Sequence, residues 1–355
     1  MTNTEVQSSG QPWLNSAWSD SIFILSPPFL SLLVVFLFPE QFKVSTAMPI
    51  EYWVFLVVFI DVAHVYSTLY RTYFNPEKLK KRHTLLIAIP LLCYFVGVML
   101  YHVDGLLFWR VLAYLAVYHF IRQQYGFMRL YSRTENCGKT ERLIDIVAIY
   151  TATLYPILSW HFGESRNFNW FISGDFIYFP SRFLETFATG LYLVIIAVYV
   201  IKELISGFKK QRFNIPKNLL IAGTFLSWYF GIVYFNGDMA FTTLNVISHG
   251  IPYMALIWFF EKKGYNREMT KKNVFMRLSF GKYGVLAFTL TIVLLAYVEE
   301  GLWDGFVWKE HSSVFSMFSS LPQVLDMNLL SLLVPLLALP QSTHYVLDGF
   351  IWRKK

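Results

Sequence analysis

Ten stretches of this chain are long and apolar enough to cross a bilayer, and that leaves few folds open. A spanning helix needs about 20 mostly apolar residues, and in lipid every backbone polar group must be bonded internally. The stretches run Ile22–Phe38, Tyr52–Tyr70, Thr84–Tyr101, Leu106–Phe127, Leu143–Phe162, Phe183–Ile201, Asn218–Phe235, Phe241–Phe260, Tyr283–Val298 and Leu329–Trp352. Pro27 and Pro28 make the first of them short and kinked or tilted. The pattern predicts an all-α, polytopic bundle of about ten transmembrane helices in five hairpins. Composition agrees. Only 15% of the 355 residues are charged and 55% are hydrophobic, against about 25% charged in soluble domains. The aromatic share of 19% suits side chains anchored at two membrane interfaces.

The basic residues set the orientation. Segments 71–83, 128–142, 202–217, 261–282 and 353–355 hold 24 of the 30 Lys and Arg residues, and the opposite loops hold four. Cytoplasmic loops carry the Lys/Arg excess, so both termini are expected in the cytoplasm. The formal charge of +7 then serves insertion and contact with anionic lipid. Nucleic acid is not expected as a partner, because five separate loops share the charge. The whole chain, 1–355, reads as a single integral domain of the cell membrane, or of the inner membrane in a bacterium. Residues 1–20 form a polar cytoplasmic segment without Lys or Arg and without a cleavage pattern, so no secretory signal is expected. Two long outer loops, 163–182 and 299–328, are rich in aromatics and read as interfacial segments. A lid over an outward-facing site is the sharper alternative. Cys93 and Cys137 have no metal-binding or redox spacing.

Polar residues inside the apolar stretches carry the chemistry. Asp, Lys or Arg at a bilayer centre costs about 2.5–3.5 kcal/mol on insertion scales, so such residues face the bundle interior or a watery cavity. Four helices carry one His with an oxygen-bearing neighbour a turn away: Asp61/His64, His119/Gln123, Asn245/His249 and His344/Asp348. Residues three or four apart share a helix face. All four helices run from outside to inside, and counting from their outer ends puts the histidines at one depth. A lone intramembrane His is more often a helix–helix hydrogen bond than a ligand. Four at one level, each with a partner, point instead to a divalent metal held by His64, His119, His249 and His344. Asp61 and Asp348 would be ligands or orienters, and Gln123 and Asn245 outer partners. Arg122 is either a catalytic counter-charge to Asp348 or a side chain snorkelling to the nearby basic loop. Gly250 with Pro252, and Pro340, predict local helix breaks beside the site. His83, His102, His161 and His311 fall at helix ends or in loops and read as surface residues.

The chain has no H-E-x-x-H, no G-x-S-x-G and no P-loop, and no two histidines lie within five residues of each other. The reading is therefore a membrane-embedded metalloenzyme. Iron is preferred and zinc or copper are alternatives. The reaction would be oxidation or desaturation of a lipid or other small hydrophobic substrate, with an electron donor as partner. With zinc it would be lipid hydrolysis. A proton- or ion-coupled transporter using the same His and Asp residues is the competing class, and haem ligation by two histidines ranks below both.

Overall fold

The computed structural model describes residues 10–43, 48–210, 213–267 and 273–352. Parts of the N-terminal segment and of the loops 202–217 and 261–282, and the basic tail 353–355, lie outside the described residues. Every regular element among the described residues is helical. We number ten principal segments. α1 is a pair, Ala17–Leu25 and Pro27–Leu37, bent by 49°. α2 is Ile50–Arg71, α3 Pro76–Val103, α4 Gly105–Tyr131, α5 Lys139–Phe162 and α6 Arg182–Lys210. α7 is Ile215–Trp228, continued by π-helical turns over Tyr229–Tyr234. α8 is Asp238–Arg267 and α9 Gly284–Trp308. α10 is a second bent pair, Met327–Leu337 and Leu339–Ile351, at 44°.

Each expected stretch coincides with one of these segments. Six (α2, α3, α5, α6, α8 and α9) are long and apolar enough to cross a membrane, and α1 and α10 reach that standard as bent pairs. α4 and α7 fall short of it. α4 carries Arg110, His119, Arg122, Gln123 and Gln124, and the α-helical part of α7 has 14 residues. The bends have a simple cause. Pro27 and Pro340 stand in the first turn of the second helix of each pair, where a missing N–H is tolerated and φ is already helical. Polar side chains start other helices. Asn75, Asp104, Asn214 and Asp326 each accept a backbone N–H from the first turn of α3, α4, α7 and α10.

α8 lies at the centre. Its most apolar window is 61% buried, against 17% for α3 and 11% for α6. α3 turns Leu91, Phe95 and Met99 outward, and α6 turns Leu193 and Val194 outward. Exposed apolar bands on long helices are surfaces suited to lipid.

Two expectations need correction. The helix expected to end at Val298 runs on to Trp308, so 299–308 is not loop. Trp303 packs in a buried cluster with Trp109 and Val334, and this burial carries the helix past its two glutamates. Nor does Gly250 or Pro252 break α8, which is continuous through both.

One buried ionic cluster ties α5, α6 and α7 together. Lys202 pairs with Asp145 and Glu203. Lys217 Nζ lies 2.7 Å from Glu203, 2.9 Å from Glu135 and 3.5 Å from Asp145. Asn218 Nδ2 donates to the second oxygen of Glu203 at 2.8 Å.

Candidate metal centre

His64, His119, His249 and His344 come together from α2, α4, α8 and α10, and none is more than 2% exposed. His249 Nε2 lies 3.2 Å from His64 Nε2, and His344 Nε2 lies 3.1 Å from His119 Nε2. One ring nitrogen from each of His64, His119 and His344 lies within 4.8 Å of the other two. A metal–nitrogen bond of about 2.0–2.1 Å gives a tetrahedral edge of about 3.4 Å. The two ring-to-ring contacts are close to such edges. Three histidines can thus hold a metal ion, with His249 against them on the His64 side. Its ring stacks on Phe120 with centroids 3.5 Å apart and the planes nearly parallel.

A metal-ligating imidazole needs an acceptor for its outward nitrogen to fix the tautomer, and three of the four rings have an oxygen near it. His64 Nδ1 lies 3.7 Å from Asp61 Oδ1, and His119 Nδ1 lies 3.6 Å from Asp348 Oδ2. His344 Nδ1 is 2.7 Å from Thr68 Oγ1. A proton on each of those three outward nitrogens would leave the Nε2 lone pairs free for a metal ion. Both carboxylate distances exceed a hydrogen bond, and Nδ1 of His64, His119 and His249 has no partner. That is a loosely closed polar centre with room to tighten around a cation.

Asp348 is the better anchored carboxylate. Its Oδ1 accepts the Tyr253 hydroxyl at 2.6 Å and the Trp352 indole N–H at 2.7 Å. Arg71 stacks on the Trp352 ring at 4.0 Å and donates to Glu261 at 2.8 Å. The support for Asp348 therefore reaches the end of the bundle through aromatic and ionic contacts.

Helix spacing foresees the Asp61/His64 pair but not the other partners. Asp61 stays beside His64, but Asp348 serves His119 on another helix. Gln123 donates to the His249 backbone carbonyl at 2.9 Å, not to its own helix neighbour His119. Asn245 Nδ2 donates to the Phe241 carbonyl at 2.9 Å, and its Oδ1 is unpartnered. Arg122 makes no ion pair with Asp348. It donates to the Tyr150 hydroxyl at 2.8 Å and lies over the Tyr125 ring, so it stands apart from the centre. Thr68 and Trp352 carry no mark in the sequence as partners, whereas Tyr253 is one of four tyrosines (with Tyr66, Tyr125 and Tyr345) that flank the histidines and can donate hydrogen bonds there. In a chain with 22 Tyr and 11 Trp, residue type alone carries no signal.

Two spaces adjoin the cluster. A cavity of about 690 Å³ is lined by Asp61, Phe120 and Asn245 beside the histidines, and by residues of 167–173 and 308–315. His311, expected as a surface residue, lies in its wall and packs on Trp53 at 4.2 Å. A second cavity of about 280 Å³ has His344, Thr68 and the apolar side chains Val65, Leu336, Leu339 and Leu347 in its wall.

Comparison with protein families, curated proteins and solved structures finds no match to this chain. The site is therefore argued from its own geometry.

Close helix approach holds the histidines together. A Cβ on Gly250 would stand 2.8 Å from Ile60 Cγ2 and 3.2 Å from the Ile60 carbonyl oxygen. Glycine lets α8 lie against α2 where His249 meets His64. Gly250→Ala is expected to cost about 1–3 kcal/mol, typical of overpacking, and to lower the thermal midpoint in detergent. An unchanged midpoint would mean the two helices part easily.

Proposed function

We propose that this chain is a membrane-embedded, metal-dependent oxidoreductase. It crosses the membrane with ten helices in five hairpins, with both termini cytoplasmic. Its centre binds one divalent metal, preferably iron, through His64, His119 and His344, with His249 as a fourth ligand. It oxidises or desaturates a lipid or other hydrophobic molecule. The carrying observation is the grouping of one ring nitrogen from each of His64, His119 and His344 within 4.8 Å of one another, with His249 Nε2 3.2 Å from His64 Nε2.

The surroundings favour oxidation over hydrolysis. The wall beside His344 is largely alkyl, so it offers a hydrocarbon segment to the centre. Oxidation acts on such a segment, whereas hydrolysis needs a carbonyl there. Neutral imidazoles leave the charge of the metal uncompensated, and Asp61 and Asp348 offset it from the outer shell. When bound, iron supplies oxygen activation, with electrons from the substrate or a separate donor. The chain's own residues position the rings and exclude bulk water, and Thr68 holds the outward nitrogen of His344.

A second reading rests on the same contacts. Rings at 3.1 and 3.2 Å beside Asp61 also suit proton transfer in a coupled carrier. Elemental analysis with an absorption spectrum on detergent-purified protein separates the two. The expected result is about one iron per chain without a Soret band. Zinc in that place supports the hydrolase instead. Protein without metal, prepared free of chelators, overturns the metalloenzyme and leaves the carrier.

A further inference from the structure

The large cavity has a chemistry that the metal centre does not require. Five carboxylates line it (Asp61, Asp238, Glu300, Asp304 and Glu310), and no Lys or Arg does, among the described residues. This happens in a chain of net charge +7. The nearest cation in sequence turns away. Lys309 has the left-handed φ of 57°, and its Nζ donates to the Ser319 and Leu321 carbonyls.

Two buried polar atoms in this wall lack a partner. Asp304 is 2% exposed. Its Oδ1 accepts the backbone N–H groups of Glu310 and His311 at 2.8 and 2.7 Å, and its Oδ2 accepts nothing. Asn245, 3% exposed, leaves its Oδ1 unpartnered in the same wall. A buried acceptor without a donor is costly to keep, and a ligand that brings N–H groups or positive charge removes that cost. The aromatic wall has the same preference. Trp303 and Trp308 stack with centroids 5.8 Å apart, and Trp109 lies 5.8 Å from Trp303 and 6.1 Å from Trp308. Faces of Trp attract ammonium groups more strongly than other rings do.

We propose that this cavity binds an organic ammonium group, with Asp304 and Asn245 as acceptors and the Trp109/Trp303/Trp308 group as its aromatic wall. Resting on the oxidoreductase reading, this makes the substrate a cationic amphiphile. Its head occupies the large cavity and its alkyl part reaches the histidines past Asp61, which belongs to both the cavity wall and the His64 contact.

The test titrates full-length protein in a neutral detergent with hexylammonium and with hexanol, read by tryptophan fluorescence. The two probes share a chain and differ in charge. Hexylammonium is expected to bind about tenfold more tightly, and Asp304→Asn to remove most of that preference with metal content unchanged. Glu300→Gln serves as a second variant should Asp304→Asn fail to fold. Equal binding of the two probes overturns the proposal, as does a preference untouched in both variants. Metal is measured on the same sample. Protein that lacks metal but keeps the ammonium preference defeats the oxidoreductase reading while supporting the cavity assignment.

Discussion

Replacing His119 or His344 with alanine is expected to weaken metal binding by more than about 100-fold, since loss of an outer-shell partner alone costs about 10–100-fold. Each change removes one of the three nitrogens grouped within 4.8 Å and one side of the 3.1 Å contact. His64→Ala should behave alike. His249→Ala should lose less, because His249 lies outside that group. Asp348→Asn falls in the outer-shell range, because it keeps an oxygen for Tyr253 and Trp352 but loses the charge opposite His119. Gln123→Ala should leave metal content intact, since Gln123 serves a backbone carbonyl. The measurement is metal per chain after dialysis against a graded chelator. Full metal in all four histidine variants would sink the centre as drawn.

Lys217→Met should be the most damaging single change outside the centre. Lys217 is 3% exposed and contacts Glu203, Glu135 and Asp145. Without it, Asp145 and Glu203 are left with Lys202, and Glu135 loses the Lys217 contact. Removing one partner of a buried pair costs about 3–5 kcal/mol, whereas replacing the whole set with apolar residues is often neutral. The single variant should therefore unfold early in detergent. Adding Lys202→Met, Asp145→Leu and Glu203→Leu, so that no buried lysine is left facing apolar side chains, should recover much of the loss, in a readout of thermal midpoint and monodisperse yield. No loss in the single variant would show that water reaches the cluster.

The helices and the histidines were legible for one reason: hydrocarbon tolerates few polar groups, so each one stands out. His64 and His119 could be picked by eye because their neighbours are Val, Ala and Phe. What could not be read was which helix lies next to which. Spacing within a helix gives a shared face, not the partner across the gap. Asp348 was therefore paired with His344 on its own helix, where the fold sets it beside His119. The apolar run ends before Glu299 and Glu300, which predicts a loop there. They remain helical because Trp303, one turn further on, is buried. Arg122 was drawn toward the site by charge alone, and a tyrosine hydroxyl on α5 accounts for it.

The proposed ligand set also implies an order of events during synthesis. His119 and His344 meet across 225 residues of chain, and His64 and His249 across 185. At about 5–20 residues per second, His344 leaves the ribosome roughly 10–45 s after His119. A nascent chain paused before α10 has inserted most of its helices, yet it lacks the third nitrogen of the group. On the proposed function, metal capture is thus a late step of maturation, and an interrupted chain would be embedded in the membrane and still be empty.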